Sequence, residues 1–391
     1  MRRLISTFWL PAGSIRIALP ILLGILAVTF SGCEEVPSTP LLPPPSAPEC
    51  APQTPATNVN TITPTTSGQP VPGANLEDPQ AVVAKFLNTP TNERKDTDIL
   101  RLCNLSAGTE SINNMDLNFA PVTDEGIKNL AKLQNLATIN FASTRITEVG
   151  FAVTQELPKL RSLNLTNCNV SAGMLETLGR LENLEELSFE RTQVGDSALA
   201  AIQNMAHLKS LNLTGTQISD NGFKYLDKLK SLEILKISNT GVRGQGMQFL
   251  KRKKGDTGLR VLDAQHSQFG AAGLQFLRTI ETLEELDVAQ ADVTDRALLG
   301  LKGVNNLKKI NLGFNQVTDQ GLTVLSTMKG LEEVYLRNNS MVGDFTLTKT
   351  LSKNKDLRVL DINGTSCTIN GVTSLKKLVP DCVIRFMGAE H

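Results

Sequence analysis

Several things are scarce in this chain of 391 residues, and each scarcity removes a class of function. Aromatic residues make up only 4%, with one Trp and two Tyr, which suits a small copied unit better than a single assembled globular core. The three histidines, His207, His266 and His391, are widely separated, so a histidine metal cluster or a hydrolytic triad lacks its parts. Net charge is also missing. The 39 basic and 39 acidic residues cancel, which leaves no overall basic face for a general nucleic-acid binder. No glycine-rich phosphate loop occurs, and the six cysteines follow no regular disulfide framework. Neither enzyme activity, nor a cofactor, nor a metal is expected.

The N-terminus carries an address. Arg2, Arg3 and Arg16 precede an apolar run from Ile17 to Phe30, followed by Ser31, Gly32 and Cys33. This run is shorter than the roughly 20 residues of a spanning helix and contains Pro20, so residues 1–32 read as a signal peptide. "FSGC" resembles a bacterial lipobox, although Phe30 stands where that pattern prefers leucine. The resemblance implies lipidation at Cys33 and a lipoprotein held at the membrane of a bacterial cell envelope; plain secretion and an uncleaved anchor are the alternatives. Residues 33–75 are rich in Pro and Thr and nearly free of charge from Val36 to Gly73. Such a segment cannot bury enough apolar surface to offset its ordering entropy, and it reads as a disordered linker.

The rest is periodic. "LRSLNLTNCNVSAGMLETLGRL" from Leu160, "LKSLNLTGTQISDNGFKYLDKL" from Leu208 and "LKKINLGFNQVTDQGLTVLSTM" from Leu307 share one frame. Apolar residues fall at positions one, four, six and eleven, then at sixteen, nineteen and twenty-two. Eleven such rungs begin at Ile112, Leu136, Leu160, Leu184, Leu208, Leu232, Leu259, Leu283, Leu307, Leu331 and Leu357. Most steps are 24 residues; the sixth rung is lengthened by "KKGDTG" and the tenth by two residues. Alternation at positions four to six predicts a short strand with one buried face, and position nine predicts an inward-turned small or polar side chain. In the fifth rung, Ser219 or Asp220 is expected to cap an outer helix whose apolar face is Phe223, Leu226 and Leu229.

This frame resembles the leucine-rich repeat family, close to its ribonuclease-inhibitor-like and cysteine-containing forms, and is similar to arrays in bacterial envelope lipoproteins. The resemblance implies an α/β solenoid, a horseshoe with parallel strands on the concave side and helices on the convex side. Residues 76–111 fall outside the frame and are expected to form an N-terminal helical cap. Rungs fill 112–380, and 381–391 supply a closing strand and tail.

A repeat array of this kind offers its concave strands to a partner. Charges at positions two and three alternate in sign from rung to rung, from Arg161, Glu185 and Glu186, Lys209 and Glu233 to Arg358, which predicts a ladder of cross-strand pairs rather than a ligand surface. The candidate patch is in the C-terminal half. Asp263, Asp287, Asn311, Tyr335 and Asp361 stack at position five, Arg337 stands at position seven, and His266 and Phe314 at position eight. An exposed tyrosine and phenylalanine beside an arginine is the composition that dominates protein interfaces. The basic run Lys251 to Lys254 reads as a helix terminus, with attraction to an anionic surface as the alternative. The expectation is therefore a monomeric, non-catalytic protein-binding module tethered to the envelope. A structural envelope spacer is the alternative, and an F-box-type ubiquitin-ligase adaptor a more distant one.

Overall fold

The computed structural model describes residues 78–250 and 258–391. The signal, Cys33, the linker to residue 75 and Lys251 to Lys254 lie outside the described residues. Each rung contributes one three-residue strand: β1 (Asn114–Asp116), β2 (Thr138–Asn140), β3 (Ser162–Asn164), β4 (Glu186–Ser188), β5 (Ser210–Asn212), β6 (Ile234–Lys236), β7 (Val261–Asp263), β8 (Glu285–Asp287), β9 (Lys309–Asn311), β10 (Glu333–Tyr335) and β11 (Val359–Asp361). They pair in parallel in sequence order, and the middle residues stack as one column, Leu211 beside Leu235 and Leu235 beside Leu262. The fold is the α/β leucine-rich repeat solenoid that the 24-residue frame implies.

Burial follows the frame. Leu208, Leu211, Leu213, Ile218, Phe223, Leu226 and Leu229 are all essentially inaccessible. Each such side chain contributes about 1.5–3 kcal/mol from leaving water, a gain realised only when neighbouring rungs cover it.

The convex side differs from a simple row of helices. Its elements are short α segments mixed with 3-10 turns. In the fifth rung a 3-10 turn at Asp220–Gly222 leads into the α segment Phe223–Leu226. In the tenth, the extra length is taken up partly by a π turn at Thr346–Thr350 and partly in the loop after the strand, where Met341 is extruded to 56% exposure.

The capping expectation for Ser219 and Asp220 resolves into two roles. Ser219 Oγ accepts the Asn221 N–H at 3.2 Å and caps its own turn. Asp220 instead reaches into the next rung, where its carboxylate accepts the N–H groups of Gly246 at 2.7 Å and Arg243 at 3.0 Å. Equivalent acids do the same elsewhere: Asp124 takes the Thr147 N–H and hydroxyl, and Asp295 those of Thr318. The "TD" pair therefore stitches one rung to the next.

At the N-terminal end, helices α1 (Pro79–Asn88) and α2 (Asp96–Cys103) cover the first rung. Between them Arg94 is buried, its guanidinium stacked 4.6 Å from the Phe86 ring and donating to the carbonyls of Asp116 (2.5 Å), Thr89 and Leu87. It thereby satisfies one carbonyl of the edge strand β1. At the other end closure takes two strands: β12 (Val383–Phe386) continues the parallel stack, and β13 (Ala389–Glu390) folds back antiparallel on it. Cys103, Cys168, Cys367 and Cys382 are buried free thiols, and burial raises the pKa of each.

Candidate functional site

Side chains on the concave strands divide into those that build the turn after each strand and those left over. At position five, nine of eleven rungs carry Asn, Asp or Ser whose side-chain oxygen accepts the N–H two residues on, for example Asn212 from Thr214 at 3.0 Å and Asp361 from Asn363 at 3.0 Å. Lys236 and Tyr335 occupy the other two places and make no such bond. At position nine a hydroxyl usually closes the turn, as Thr216 does on the Leu213 carbonyl at 2.6 Å. Asn315 and Asn339 go further and bond into the preceding rung.

Position eight is left-handed in every rung, from Phe119 (φ 58°) to Gly364 (φ 71°). In every rung but the last its N–H still bonds to the following rung, Phe314 to the Arg337 carbonyl at 2.7 Å, so the ladder continues past the strand before the chain curls inward. Glycine and asparagine suit that conformation; any other residue costs about 1–2 kcal/mol. Phe314 and His266, both singled out from the sequence, sit there at φ 57° and 50° with exposed side chains. Phe314 is 52% exposed, so it gains little packing in exchange for the strain.

The rim charges pair as the alternation predicts. Glu185 meets Lys209 at 2.7 Å and Arg161 at 3.7 Å; Glu284 meets Lys308 at 2.8 Å and Arg260 at 3.0 Å. Hydrogen bonds from these cations lower the pKa of both glutamates.

Among the candidate residues, His266, Asn311, Phe314, Tyr335, Arg337 and Asp361 line one hollow of about 380 Å³. Asp263 belongs to a neighbouring hollow of about 550 Å³, with Arg191, Gly215 and Lys236 on its walls, and the two hollows share Gln265 and His266. Asp287 lines neither of them. It is half-buried, with one oxygen on the Ala289 N–H and the other on the Asn311 amide, and burial raises its pKa.

Two expectations need correcting. Tyr335 is half-buried rather than exposed, because its hydroxyl folds back to donate to Glu333 at 2.9 Å; burial and that carboxylate push its pKa to about 12. Asp361 is only 8% exposed and is held by the Asn363 backbone and side chain. Arg337, by contrast, is exposed and makes no ion pair among the described residues. Lys236, Arg191 and Gln265 escaped the sequence reading. The signal for Lys236 was its break in the Asn/Asp/Ser run at position five.

Among the described residues, no group of three or more His, Cys, Asp or Glu is placed to hold a metal ion, and no helix is long and apolar enough to cross a membrane.

A sequence profile of the Leucine Rich repeat family matches residues 204–226 and 305–326. The structure is similar to an internalin (InlF) from Listeria monocytogenes, with a TM-score of 0.55 and 19% identity over 80% of this chain and 95% of that one. A plant peptide hormone receptor, RGFR1 solved in complex with RGF2, gives a TM-score of 0.43 and 14% identity over 71% of this chain and 48% of that one. No curated protein sequence matches the chain. The likeness to the internalin is one of fold; the rung frame and the profile matched in two rungs are those of leucine-rich repeat proteins, and the chain folds as a leucine-rich repeat solenoid.

Proposed function

We propose that the chain is a non-catalytic module that binds another protein on the concave face of its C-terminal half. The observation that carries this reading is the hollow in which an exposed Phe314, an unpaired Arg337 and the half-buried Tyr335 converge. Aromatic and arginine side chains in a partly desolvated recess are the usual anchors of a protein interface. The rim charges satisfy one another, so they set register rather than recruit a ligand. With Tyr335→Ala and Arg337→Ala combined, the captured partner is expected to be lost; unchanged capture sinks the reading.

The same proposal places the solenoid at a bacterial envelope, tethered through a lipid on Cys33 by way of the 33–75 linker, as a monomer. Support comes from the basic leader, the short apolar run and "FSGC". Incorporation of labelled palmitate that disappears in Cys33→Ser is the expected result, and incorporation unaffected by that substitution contradicts it. Cross-linking in the native envelope separates recognition from a spacer role. A discrete partner is expected, whereas contacts with wall or neighbouring lipoproteins alone favour the spacer.

A further inference from the structure

The two rungs that abandon the turn-building side chain at position five deserve a joint reading, because each places a cation or an aromatic in the concave groove instead. Lys236 in β6 is exposed and, among the described residues, makes no ion pair; Arg337, two residues beyond Tyr335 in the tenth rung, is likewise exposed and unpaired. Elsewhere the groove offers almost no free negative charge. Positions seven and eight of the eleven rungs contain one carboxylate, Glu190, and it lies 3.7 Å from Arg191 and accepts the Asn212 amide.

The aspartates at position five keep their charge but point their oxygens at neutral donors of the strand and turn: Asp263, the register partner of Lys236, accepts the Ser238 hydroxyl and the Gln265 N–H, Asp287 is held by Ala289 and Asn311, and Asp361 is buried. The exposed charges at positions five, seven and eight of the rungs that make no ion pair among the described residues are thus Lys236 and Arg337, at two separated points, with exposed Phe314 one rung from Arg337.

The points have a definite spacing. β6 and β10 are four strand steps apart in the sheet order, which at ~4.8 Å per step puts Lys236 and Arg337 about 19 Å apart along the solenoid. The two hollows between them run together at Gln265 and His266, and Gly215 and Gly313 leave them without side chains that would fill them. An extended chain lying across the strands advances ~3.3 Å per residue, so it covers that distance in about six residues.

We propose that the groove selects an extended protein segment carrying two acidic side chains about six residues apart, one for Lys236 and one for Arg337, with an apolar side chain against Phe314. This rests on the concave-face reading above and adds the chemistry of the partner. A nucleic acid fits less well, since it presents a charge at every nucleotide whereas the groove has two separated cations and an apolar contact.

The test is to pan a displayed library of random peptides of about twelve residues, long enough to reach both cations, on the full chain. Two acidic positions at that spacing, with an apolar residue beside one of them, are expected in the enriched peptides. Lys236→Ala and Arg337→Ala are each expected to weaken an enriched peptide about tenfold, and panning on Arg337→Glu to enrich a basic residue at the matching position. Peptides that bind and are weakened by Phe314→Asn, but lack the acidic pair or ignore both charge substitutions, overturn the inference while leaving the concave-face reading intact. Absence of any enrichment, or enrichment indifferent to Phe314, Tyr335 and Arg337 alike, overturns both.

Discussion

The Asp196 carboxylate fills the space in which a side chain on Gly222 would stand. Its Oδ1 accepts the Ser219 N–H at 2.8 Å and its Oδ2 the Ser219 hydroxyl at 2.7 Å, and Oδ1 lies 2.6 Å from where a Cβ on Gly222 would be built. The recurrent glycine of the repeat is thus required by the acid of the preceding rung, 26 residues earlier in sequence, rather than by its own backbone angles, which are helical.

Gly222→Ala is therefore expected to destabilise by about 1–3 kcal/mol, despite alanine's better helix propensity, because Asp196 and the Leu199 methyl must move. Asp196→Ala removes both bonds to Ser219, at a cost of about 1–2 kcal/mol. The two costs should not add. With the carboxylate gone, the alanine at 222 loses one of its two clashes, and urea titration of the double variant should give less than the sum. Strict additivity would mean that the carboxylate does not select the glycine.

Arg94 closes the N-terminal end through three backbone carbonyls, one of them on the edge strand β1. Arg94→Leu keeps bulk near Phe86 but leaves those carbonyls without the guanidinium, so a loss of about 2–4 kcal/mol is expected. Hydrogen exchange should quicken first in residues 112–140 and leave the distal rungs protected; uniform loss of protection would argue against a local capping role.

The architecture was legible because leucine spacing is redundant: eleven copies of one frame fix strand, turn and register even where Tyr335 or Lys236 departs from it. The roles of individual polar residues were less accessible. Asp220 stands where a cap belongs, and only the distance to Gly246 in the next rung reveals that it bonds outward. Asp263, Asp287, Asn311 and Asp361 stood in the candidate patch, but a strand-turn column and a ligand column have the same spacing in sequence. What separates them is the backbone N–H two residues on, whose direction depends on the turn. Phe314 and Arg337 were recoverable because they have no structural duty that their residue type explains.

Asp287 gives the concave face an acid-side component. Burial raises its pKa, reinforced by Asp263 and opposed by the Ala289 N–H, the Asn311 amide and Lys309. With the folded value above the unfolded one, its contribution to stability is full below the ordinary carboxylate range and is lost as pH rises through the raised pKa. Glu284 has the opposite sign: its lowered pKa gives stability that is present at neutral pH and lost as pH falls. Asp287→Asn keeps the oxygen that accepts the Ala289 N–H, removes the buried charge and gives up the acceptor of the Asn311 amide, a loss that does not depend on pH. Thermal melts should therefore show this variant gaining on the parent as pH rises from about 4, where an ordinary carboxylate is protonated, to neutral. A difference constant with pH would mean that charge is not its origin.

Phe314 tests whether the strained column stores binding capacity. At φ 57° with half of its side chain exposed, it bears the left-handed cost without a matching gain in burial, whereas Asn338 holds the same place one rung later at the same φ with a residue suited to it. Phe314→Asn is expected to raise stability by about 1 kcal/mol, and the reciprocal Asn338→Phe to lower it by a similar amount, both read from urea midpoints. On the binding side the sign reverses: Phe314→Asn should weaken the partner while Asn338→Phe does not strengthen it, since the second phenylalanine would lie outside the hollow that Tyr335 and Arg337 enclose. A variant that gains stability and loses affinity together identifies a position kept for contact at the expense of the fold. If Phe314→Asn were instead destabilising, the phenylalanine would be part of the packing and the hollow would lose its apolar anchor as an argument for recognition.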